Sequence, residues 1–399
     1  MNTDARVRLA YLVSHPIQYQ APLLRLIAAD PDIMLKVFFC SDVSVRAHHD
    51  EGFGRTIAWD TPLLEGYQHA FLPSLDDRGR LSLWRPINYG LTAALRRERF
   101  QVLWVHGYAR WVHLLGMANA KRLGLKTLIR DEGTRVSARR GGGKRAAKRA
   151  FFTAFRQICD GALAIGRLNR DYWLEYEFPP ERVFDMPYAV DNDHFRVGAD
   201  QAARLREPLR AELGLAPGRP IILYASKLMP RKRPLDLLEA HTRLVARREA
   251  RNPYLLFAGD GELGPALARR AAELGNDAVK FLGFRNQSEL PRFYDLCDVF
   301  VLPSEIEPWG LVINEAMNAG RAVIASDECG CAADLVRNGD NGFVFRTGDV
   351  AGLADAIARV LGDPAACGRM GRRSREIIAD HGFARDLAGL KTALDTVLR

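Results

Sequence analysis

Short apolar runs rich in β-branched and aromatic residues alternate along the chain with longer segments of helical periodicity. Runs such as VRLAYLVS (7–14), QVLWVH (101–106) and DVFVLP (298–303) are almost continuously apolar, which is typical of parallel strands covered on both faces. Amphipathic stretches such as LDLLEAHTRLVARR separate many of these runs. The alternation predicts an α/β protein built from doubly wound parallel sheets.

The strand–helix pattern restarts after a polar, proline-containing stretch at about 188–219, which we interpret as an interdomain connection. We therefore predict two Rossmann-like domains facing across a cleft, an N-terminal one over 1–195 and a C-terminal one over 196–380. A last helix, within 381–399, is expected to pack back on the first domain. Ligands of such open sheets bind beyond the carboxyl ends of the strands, so the residues that follow each strand are informative.

Composition and charge narrow the class of protein. The 399 residues include 57 Lys+Arg and 48 Asp+Glu, a net charge of +9, and 48% of them are hydrophobic. We see no signal peptide and no apolar run near the ~20 residues of a membrane-spanning helix. Six scattered cysteines without a C-x-x-C pair argue against a zinc site or a disulfide scaffold. These features favour a cytoplasmic protein.

The segment DVFVLPSEIEPWGLVINEAMNAG (298–320) joins a strand, a turn and a helix. Glu307 lies in the turn and Glu315 lies inside the helix, eight positions further on. The amides of residues 310–312 stand at the helix N-terminus, which attracts anions. A carboxylate beside an anion site is better placed to accept hydrogen bonds from hydroxyls, as on a sugar. The alternative is that both glutamates are solvated.

Four cations follow another predicted strand, in the segment ASKLMPRKRPLD. They are Lys227, Arg231, Lys232 and Arg233. Four positive charges over seven positions at the carboxyl end of a strand suit a diphosphate, whose charge needs compensation at close range. The alternative interpretation is a basic surface turn.

Gly259, Gly261 and Gly264 satisfy the pattern G-x-G-x-x-G between a strand and a helix. This pattern is typical of dinucleotide-binding oxidoreductases, which also place an acidic residue at the end of the next strand. Here the corresponding segment carries Arg285 and no acid. NAD is therefore disfavoured, and an NADP-linked oxidoreductase stays open as an alternative.

Asp191 and Asp193 form a D-x-D pair, which can hold a divalent ion beside a sugar-nucleotide diphosphate. Their place in the polar connection favours a turn or a helix cap instead. The sequence offers no convincing set of metal ligands.

Polar side chains follow three predicted strands of the first half. They are His15, Gln18, Tyr19 and Gln20 after the first of these strands, His106 and Tyr108 after the second, and Arg130, Asp131 and Glu132 after the third. Each alone could be a loop residue with satisfied hydrogen bonds. Three polar strand ends in one domain indicate a lined cleft instead.

The region 135–156 combines many cations with Phe151, Phe152 and Phe155 and contains no acid. Cations and aromatic side chains on one helix suggest contact with an anionic membrane surface or a lipid phosphate, which would make the protein peripheral at the inner face of the membrane. The alternative is a solvated basic face whose phenylalanines lie in the core. A basic protein without a nucleic-acid-binding motif gives no reason to expect a nucleic-acid partner.

In their order and spacing, these motifs resemble those of retaining glycosyltransferases of the GT-B fold, the family 4 enzymes with the E-x7-E signature. The resemblance covers roughly 160–380 and rests on the segments SKLMPRKRPLDLLEA, FAGDGELG, KFLGFRNQSELPRFYDLCDVFVLPSEIEPWGLVINEAMNAGRAVIASD and PYAVDNDHF.

The resemblance implies an enzyme that transfers a sugar from a nucleotide-diphospho-sugar, with UDP favoured, to an acceptor hydroxyl with retention of configuration. Saccharides or lipid-linked saccharides in cell-surface polysaccharide or glycolipid synthesis are the implied acceptors. No metal and no cofactor are implied, since the nucleotide-sugar is a substrate. A non-catalytic protein that binds nucleotide-sugars or anionic surfaces stays open as a further alternative.

The resemblance also implies a role for individual residues. Lys227 and Lys232 would clamp the donor diphosphate and Glu307 would contact the hydroxyls of the donor sugar, which makes these three the predicted catalytic residues. The implied donor-binding residues are Glu315 at the ribose, Gly310, Leu311 and Val312 at the phosphates, Phe284 and Arg285 beside the base, and Gly259 and Gly261 in a tight turn beside the nucleotide.

The N-terminal half departs from the family's pattern at two strand ends. Relatives often have a Gly-Gly turn where this chain has HPIQ (15–18), and many have a histidine where this chain has RDE (130–132). We assign His15, Gln18, Tyr19, His106, Arg130 and Asp131 to the acceptor side of the predicted cleft. The departures leave their individual roles undefined.

Overall fold

A computed structural model describes residues 6–76, 79, 81–134, 142–275 and 277–399, with the backbone alone for 142–145. The strands are β1 (Val7–Val13), β2 (Ile33–Phe39), β3 (His48–Asp50), β4 (Arg55–Ile57), β5 (Gln68–Phe71), β6 (Val102–His106), β7 (Lys126–Arg130), β8 (Gly161–Ala164), β9 (Val183–Asp185), β10 (Ile221–Ala225), β11 (Tyr254–Ala258), β12 (Val279–Gly283), β13 (Val299–Leu302), β14 (Ala322–Ser326) and β15 (Gly342–Phe345).

The α-helices are α1 (Ala21–Ala29), α2 (Leu91–Arg97), α3 (Trp111–Arg122), α4 (Gly142–Phe155), α5 (Arg167–Glu175), α6 (Asn192–Ala202), α7 (Arg206–Glu212), α8 (Pro234–Ala246), α9 (Gly264–Glu273), α10 (Leu290–Leu296), α11 (Leu311–Asn318), α12 (Ala332–Leu335), α13 (Val350–Gly362), α14 (Pro364–Ala379) and α15 (Phe383–Leu398). Short 3-10 helices lie at Pro180–Arg182, Ala203–Leu205 and Pro230–Lys232.

The chain divides into two compact units. The first unit comprises Met1–His48, Thr61–Tyr188 and Phe383–Arg399, and the second unit comprises His49–Asp60 and Ala189–Gly382. The main junction therefore lies slightly before the predicted boundary at 195. A short segment from the first half of the sequence belongs with the second unit, and the last helix belongs with the first.

The first unit is built on a seven-stranded parallel sheet in the order β5-β2-β1-β6-β7-β8-β9. Strand β1 lies near its centre, and residues Leu9–Val13 are at most 1% exposed, which explains their continuous apolar run. Alternate residues face opposite sides, so Ala10 and Leu12 pack in one core layer while Leu9 and Tyr11 pack in the other, together with α15.

The second unit is built on a six-stranded parallel sheet in the order β12-β11-β10-β13-β14-β15. This is the Rossmann order, and the strand order reverses between β10 and β13. In the first unit the same reversal falls between β1 and β6. The predicted fold class, two Rossmann-like units with doubly wound parallel sheets, is confirmed.

The basic segment predicted to contact a membrane is only partly described, since 135–141 lie outside the described residues. In α4, Phe152 and Phe155 are buried in a core layer, and Phe151 packs against that layer. The phenylalanines therefore serve the core, as the alternative interpretation holds. Among the described residues, no helix combines the length and the apolar character needed to cross a bilayer.

Candidate active site

The sheet topology brings the two main predicted motifs of the second unit together. Lys227 and Lys232 follow β10, Glu307 follows β13, and these two strands are neighbours. Because the strand order reverses between them, the loops that leave their carboxyl ends diverge to opposite faces and open a crevice, the usual ligand site of such sheets.

Lys232 and Glu307 form an ion pair at this crevice, with Lys232 Nζ donating to Glu307 Oε2. Their side chains are only 12% and 11% exposed. The backbone of Glu307 is held on both sides, because its N–H donates to the Glu328 carbonyl (3.1 Å) and its carbonyl accepts from the Gly330 N–H (2.9 Å). The site therefore presents a desolvated carboxylate and a cation side by side on a fixed loop.

Lys227, the second predicted phosphate clamp, already has an anionic partner. Its Nζ donates to Asp50 Oδ1 (2.7 Å) and Oδ2 (2.9 Å) and lies 4.7 Å from the centroid of the Phe53 ring. Burial raises the pKa of Asp50, but hydrogen bonds from Lys227 and from the Phe53 and Gly52 amides outweigh it and leave the pKa below its ordinary value. Asp50 is therefore an anion at neutral pH.

Arg233 ties together the loops that follow β10 and β13. Its guanidinium contacts Asp236 (2.8 Å) and Glu305 (3.0 Å), and the Glu305 N–H donates to the Arg231 carbonyl (2.7 Å). One of the four cations of the basic turn thus supports the loops structurally, which agrees in part with the alternative of a basic turn.

The N-terminus of α11 lies at the same crevice. Its N-cap, Gly310, has a φ of 98°, and a Cβ there would come within 2.8 Å of a Leu302 methyl carbon, so the position requires glycine. Leu311 and Val312, in the first turn, are half-buried, and that turn contains no acidic residue. The positive end of the helix dipole is therefore not neutralised by an acid within that turn.

Glu315 lies inside α11 and is 5% exposed. Its Oε2 accepts a hydrogen bond of 2.5 Å from the hydroxyl of Tyr294, in α10. Burial raises the pKa of Glu315 to about 7, and the bond from Tyr294 opposes that shift only partly. Its role at a ribose stays a prediction. Tyr294 is a partner that our reading of the sequence missed.

The two glycines predicted to form a tight turn allow two loops to touch. Gly259 and Gly261 have φ values of 142° and 152°, and a Cβ on them would come within 2.0 Å of the Ser226 carbonyl oxygen and 2.5 Å of the Leu228 one. They therefore permit the loop after β11 to pack on the loop that carries Lys227. Since β11 lies away from the reversal point, this position weighs against a dinucleotide site.

Phe284 and Arg285 follow β12. The Phe284 ring lies against Phe53 and Trp59, with centroids 4.9 and 6.2 Å away. Arg285 is paired with Glu289, whose Oε1 lies 3.1 Å from its Nη1. This guanidinium already has an anionic partner within its own loop and helix.

A hydrogen-bonded network occupies the corresponding reversal point of the first unit. The Nε2 atom of His106 lies 3.3 Å from Gln20 Nε2 and 3.2 Å from the hydroxyl of Tyr188. That hydroxyl donates to Glu132 Oε1 (2.9 Å) and lies 3.3 Å from the hydroxyl of Tyr19. The structure thus joins residues from three strand ends, and it adds Tyr188, which our reading of the sequence placed in the polar connection.

Two predicted histidines of the first unit, His106 and His15, are held neutral. Burial, reinforced by the positive charge of Arg130, lowers the pKa of His106 to about 3. Burial also lowers the pKa of His15 to about 4, with a smaller effect from Arg110, and its Nδ1 lies 2.8 Å from Ser14 Oγ. Neutral imidazoles can exchange hydrogen bonds with hydroxyls and have no attraction for anions.

The other predicted residues of the first unit differ in how far their side chains are exposed and in their partners. Arg130 is 1% exposed and bonded to Asp386, so its position is that of a structural cation. Asp131 accepts from the Gly133 N–H (2.8 Å), and burial raises its pKa to about 6. Gln18 is half-buried. The acceptor roles of these residues stay predictions.

Within the described part of the chain, no three His, Cys, Asp or Glu side chains are grouped so as to hold a metal ion. The D-x-D pair has structural partners, because Asp191 caps α6 through the His194 N–H (2.9 Å) and Asp193 pairs with Arg196 (2.7 Å). Metal independence stays a prediction.

Residues 206–377, most of the second unit, match the family model of glycosyl transferases group 1. The second unit is similar to these enzymes. The chain is 34% identical to D-inositol 3-phosphate glycosyltransferase of Nocardia farcinica over 225 residues, 55% of this chain and 48% of the relative. It is also 34% identical to alpha-D-kanosaminyltransferase of Streptomyces kanamyceticus over 237 residues, 58% of this chain and 59% of the relative. The chain thus spans about half the length of these curated relatives.

Solved structures of other proteins share the fold. Anabaena Alr3699/HepE in complex with UDP superposes with a TM-score of 0.74 at 17% identity, over 98% of this chain and 100% of that one. A glycosyltransferase from Rickettsia africae superposes with a TM-score of 0.73 at 16% identity, over 98% and 99%. At these identities the likeness establishes the fold alone, the GT-B fold with its two Rossmann-like units.

Proposed function

We propose that the protein is a glycosyltransferase that moves a sugar from a nucleoside-diphospho-sugar to an acceptor hydroxyl, with retention and without a metal. The observation that carries the proposal is the Lys232–Glu307 pair at the reversal point of the second sheet, beside the N-terminus of α11. Both residues lie within the segment that matches glycosyl transferases group 1. UDP is the nucleotide we favour, since the Anabaena structure with the same fold contains UDP.

The arrangement suits the charges that develop during transfer. As the bond from the anomeric carbon to the diphosphate oxygen breaks, negative charge builds on the diphosphate and the sugar becomes oxocarbenium-like. The Lys232 ammonium and the helix N-terminus stabilise the departing diphosphate by preorganised electrostatics. The Glu307 carboxylate, fixed by its loop, accepts hydrogen bonds from the sugar hydroxyls and stands near the developing positive charge.

We assign the acceptor to the first unit. The network of neutral His106 with Tyr188 and Glu132 offers donors and acceptors for a saccharide hydroxyl. A saccharide or a lipid-linked saccharide is the acceptor class we propose, in cell-surface polysaccharide or glycolipid synthesis. A cytoplasmic location, peripheral to the membrane through the basic segment 135–156, belongs to the same proposal.

The first test is thermal unfolding with UDP, GDP, ADP and NADP. A ligand at 100 times its dissociation constant adds about 2.7 kcal/mol to the stability of the state that binds it. Stabilisation by one nucleoside diphosphate supports the transferase and names its donor class. Stabilisation by NADP alone would overturn the proposal in favour of an oxidoreductase.

The second test separates an enzyme from a non-catalytic binding protein. Lys232→Ala should lower kcat by on the order of 10²–10³, the cost of losing one preorganised group that stabilises transition-state charge. Glu307→Gln should impair turnover more than nucleotide affinity, because its carboxylate acts on the sugar. The matched control is Arg269→Ala, which removes an exposed cation of the second unit. Near wild-type turnover in both site variants would refute the assigned roles.

A further inference from the structure

Residues 49–60, here called the strap, belong with the second unit although their sequence neighbours belong with the first. The strap contacts residues that follow three adjacent strands of the second sheet: Lys227 after β10, Asp260 after β11 and Phe284 after β12. It therefore lies along the carboxyl edge of the sheet, on the side of β10 opposite to the Lys232–Glu307 pair.

At its start, the strap places a carboxylate on a proposed phosphate-binding cation. Both oxygens of Asp50 lie within 2.9 Å of Lys227 Nζ. Asp50 is held in a turn, because its Oδ1 also accepts from the Gly52 N–H (2.9 Å) and the Phe53 N–H (3.0 Å). Two anionic oxygens on one ammonium reproduce the contact that a phosphate group makes.

The middle of the strap covers Phe284, the residue predicted to lie beside the base. Phe53 and Trp59 contact its ring, and the Arg55 guanidinium lies 5.6 Å from its centroid. Arg55 also donates to Asp260 Oδ2 (2.7 Å), and the same oxygen accepts a hydrogen bond from the Phe284 N–H (3.2 Å). Aromatic rings thus lie against the surface on which a nucleobase would stack.

The end of the strap is anchored by polar contacts. Asn286 Nδ2 donates to the Ala58 carbonyl (2.7 Å), and the Ser288 N–H donates to Asp60 Oδ2 (3.2 Å). The Arg55 and Asp260 side chains are 49% and 34% exposed. Ion pairs that are this accessible contribute little. The Arg55–Asp260 contact is therefore one that a ligand could replace.

We propose that the strap gates the donor site: Asp50 and Phe53 occupy the diphosphate and base positions beside Lys227 and Phe284, and the donor displaces them on binding. This inference rests on the proposed function. Donor affinity then includes the cost of displacing the strap, so weakening the Asp50 contact should tighten nucleotide binding.

The test is calorimetric titration of UDP, or of whichever nucleoside diphosphate stabilises the wild type, into Asp50→Asn. Asparagine keeps a side-chain oxygen for the Gly52 and Phe53 amides but loses the charge that competes at Lys227. We expect a dissociation constant three- to tenfold lower than that of the wild type. The matched control is Glu51→Gln, the same charge change at the exposed neighbouring position, which should change affinity by less than twofold.

A second measurement reports the strap directly. Amide hydrogen exchange within 49–60 should become faster when the nucleotide binds, because the strap leaves its contacts. Equal or weaker binding by Asp50→Asn, or slower exchange of the strap on binding, would overturn the gate while leaving donor binding intact. No binding of any nucleoside diphosphate by wild type and Asp50→Asn alike would overturn the proposed function as well. Binding by Asp50→Asn alone would support both.

Discussion

The ion pair between Arg130 and Asp386 ties α15 to the carboxyl end of β7, and its removal should destabilise the first unit. Arg130 Nη2 lies 2.9 Å from Asp386 Oδ1, and the two side chains are only 2% and 1% exposed. The same nitrogen donates to the carbonyls of Met186 (2.8 Å) and Pro187 (3.1 Å), and the guanidinium lies 4.6 Å from the centroid of the Tyr188 ring. The pair therefore also supports the tyrosine of the proposed acceptor network.

Arg130→Met and Asp386→Leu should lower the free energy of unfolding by different amounts. Removing one partner of a buried ion pair costs about 3–5 kcal/mol, because the other charge stays buried. Burial raises the pKa of Asp386 to about 7 despite the opposing effect of Arg130, so this carboxyl can become neutral when its partner is lost. Arginine stays charged. We therefore expect Asp386→Leu to cost about 5 kcal/mol and Arg130→Met about 3 kcal/mol.

The double variant completes a double-mutant cycle, in which the effect of both changes together is compared with the sum of the two single effects. Replacing a buried pair by apolar residues of similar volume is often neutral or stabilising, so Arg130→Met with Asp386→Leu should cost much less than the sum of the single changes. Native-state hydrogen exchange of buried β1 amides measures the opening free energy of the first unit, and β10 amides of the second unit serve as the internal control. Equal single losses that add in the double variant would refute the reasoning.

Two further predictions concern the second unit. Burial raises the pKa of Glu315 to about 7, so the folded protein keeps this proton at a higher pH than the unfolded chain, and the free energy of unfolding of the wild type falls as the pH rises from about 4.5 to 7. Glu315→Gln lacks this loss, so its free energy of unfolding in urea should increase relative to that of the wild type over the same window. A difference that does not change with pH would contradict this. Gly259→Ala should lower the unfolding free energy of this unit by at least about 2 kcal/mol, since its Cβ would lie 2.0 Å from the Ser226 carbonyl oxygen. The control is Gly214→Ala, which has a φ of 64° and no atom within 4 Å of its Cβ and should lower the unfolding free energy by about 1 kcal/mol. Equal losses would exclude the loop contact as the cause.

The fold, and the strand ends that carry Lys232 and Glu307, could be predicted from the sequence because both depend on local patterns, whereas the contact between the two side chains is seen only in the structure. Continuous apolar runs identify parallel strands, and polar residues after a strand identify its carboxyl end. Lys232 and Glu307 are 75 positions apart, yet each follows a recognisable strand, and the Rossmann order makes those strands neighbours. Where a residue's position follows from its strand, the sequence is sufficient.

The partners that the sequence did not reveal depend on contacts between distant segments. Asp50 lies in a three-residue strand without apolar periodicity, and only the tertiary structure brings it to Lys227. Tyr294 lies in a segment with an ordinary helical pattern and Tyr188 lies in the polar connection. The tertiary structure brings their hydroxyls to Glu315 and Glu132. No local spacing encodes such pairs, so they could not be predicted from one chain alone.

The same strand order gives both units a reversal point, but the chemistry placed there differs. In the second unit the point carries a cation and a carboxylate, Lys232 and Glu307, which suits a ligand that is anionic at one end and hydroxylated at the other. In the first unit it carries His106 and Gln20, and burial keeps the histidine neutral. A neutral imidazole does not attract a diphosphate as the Lys232 ammonium does, but it can exchange hydrogen bonds with a hydroxyl. The proposed division of donor and acceptor between the units therefore rests on the groups that each sheet places at its reversal point.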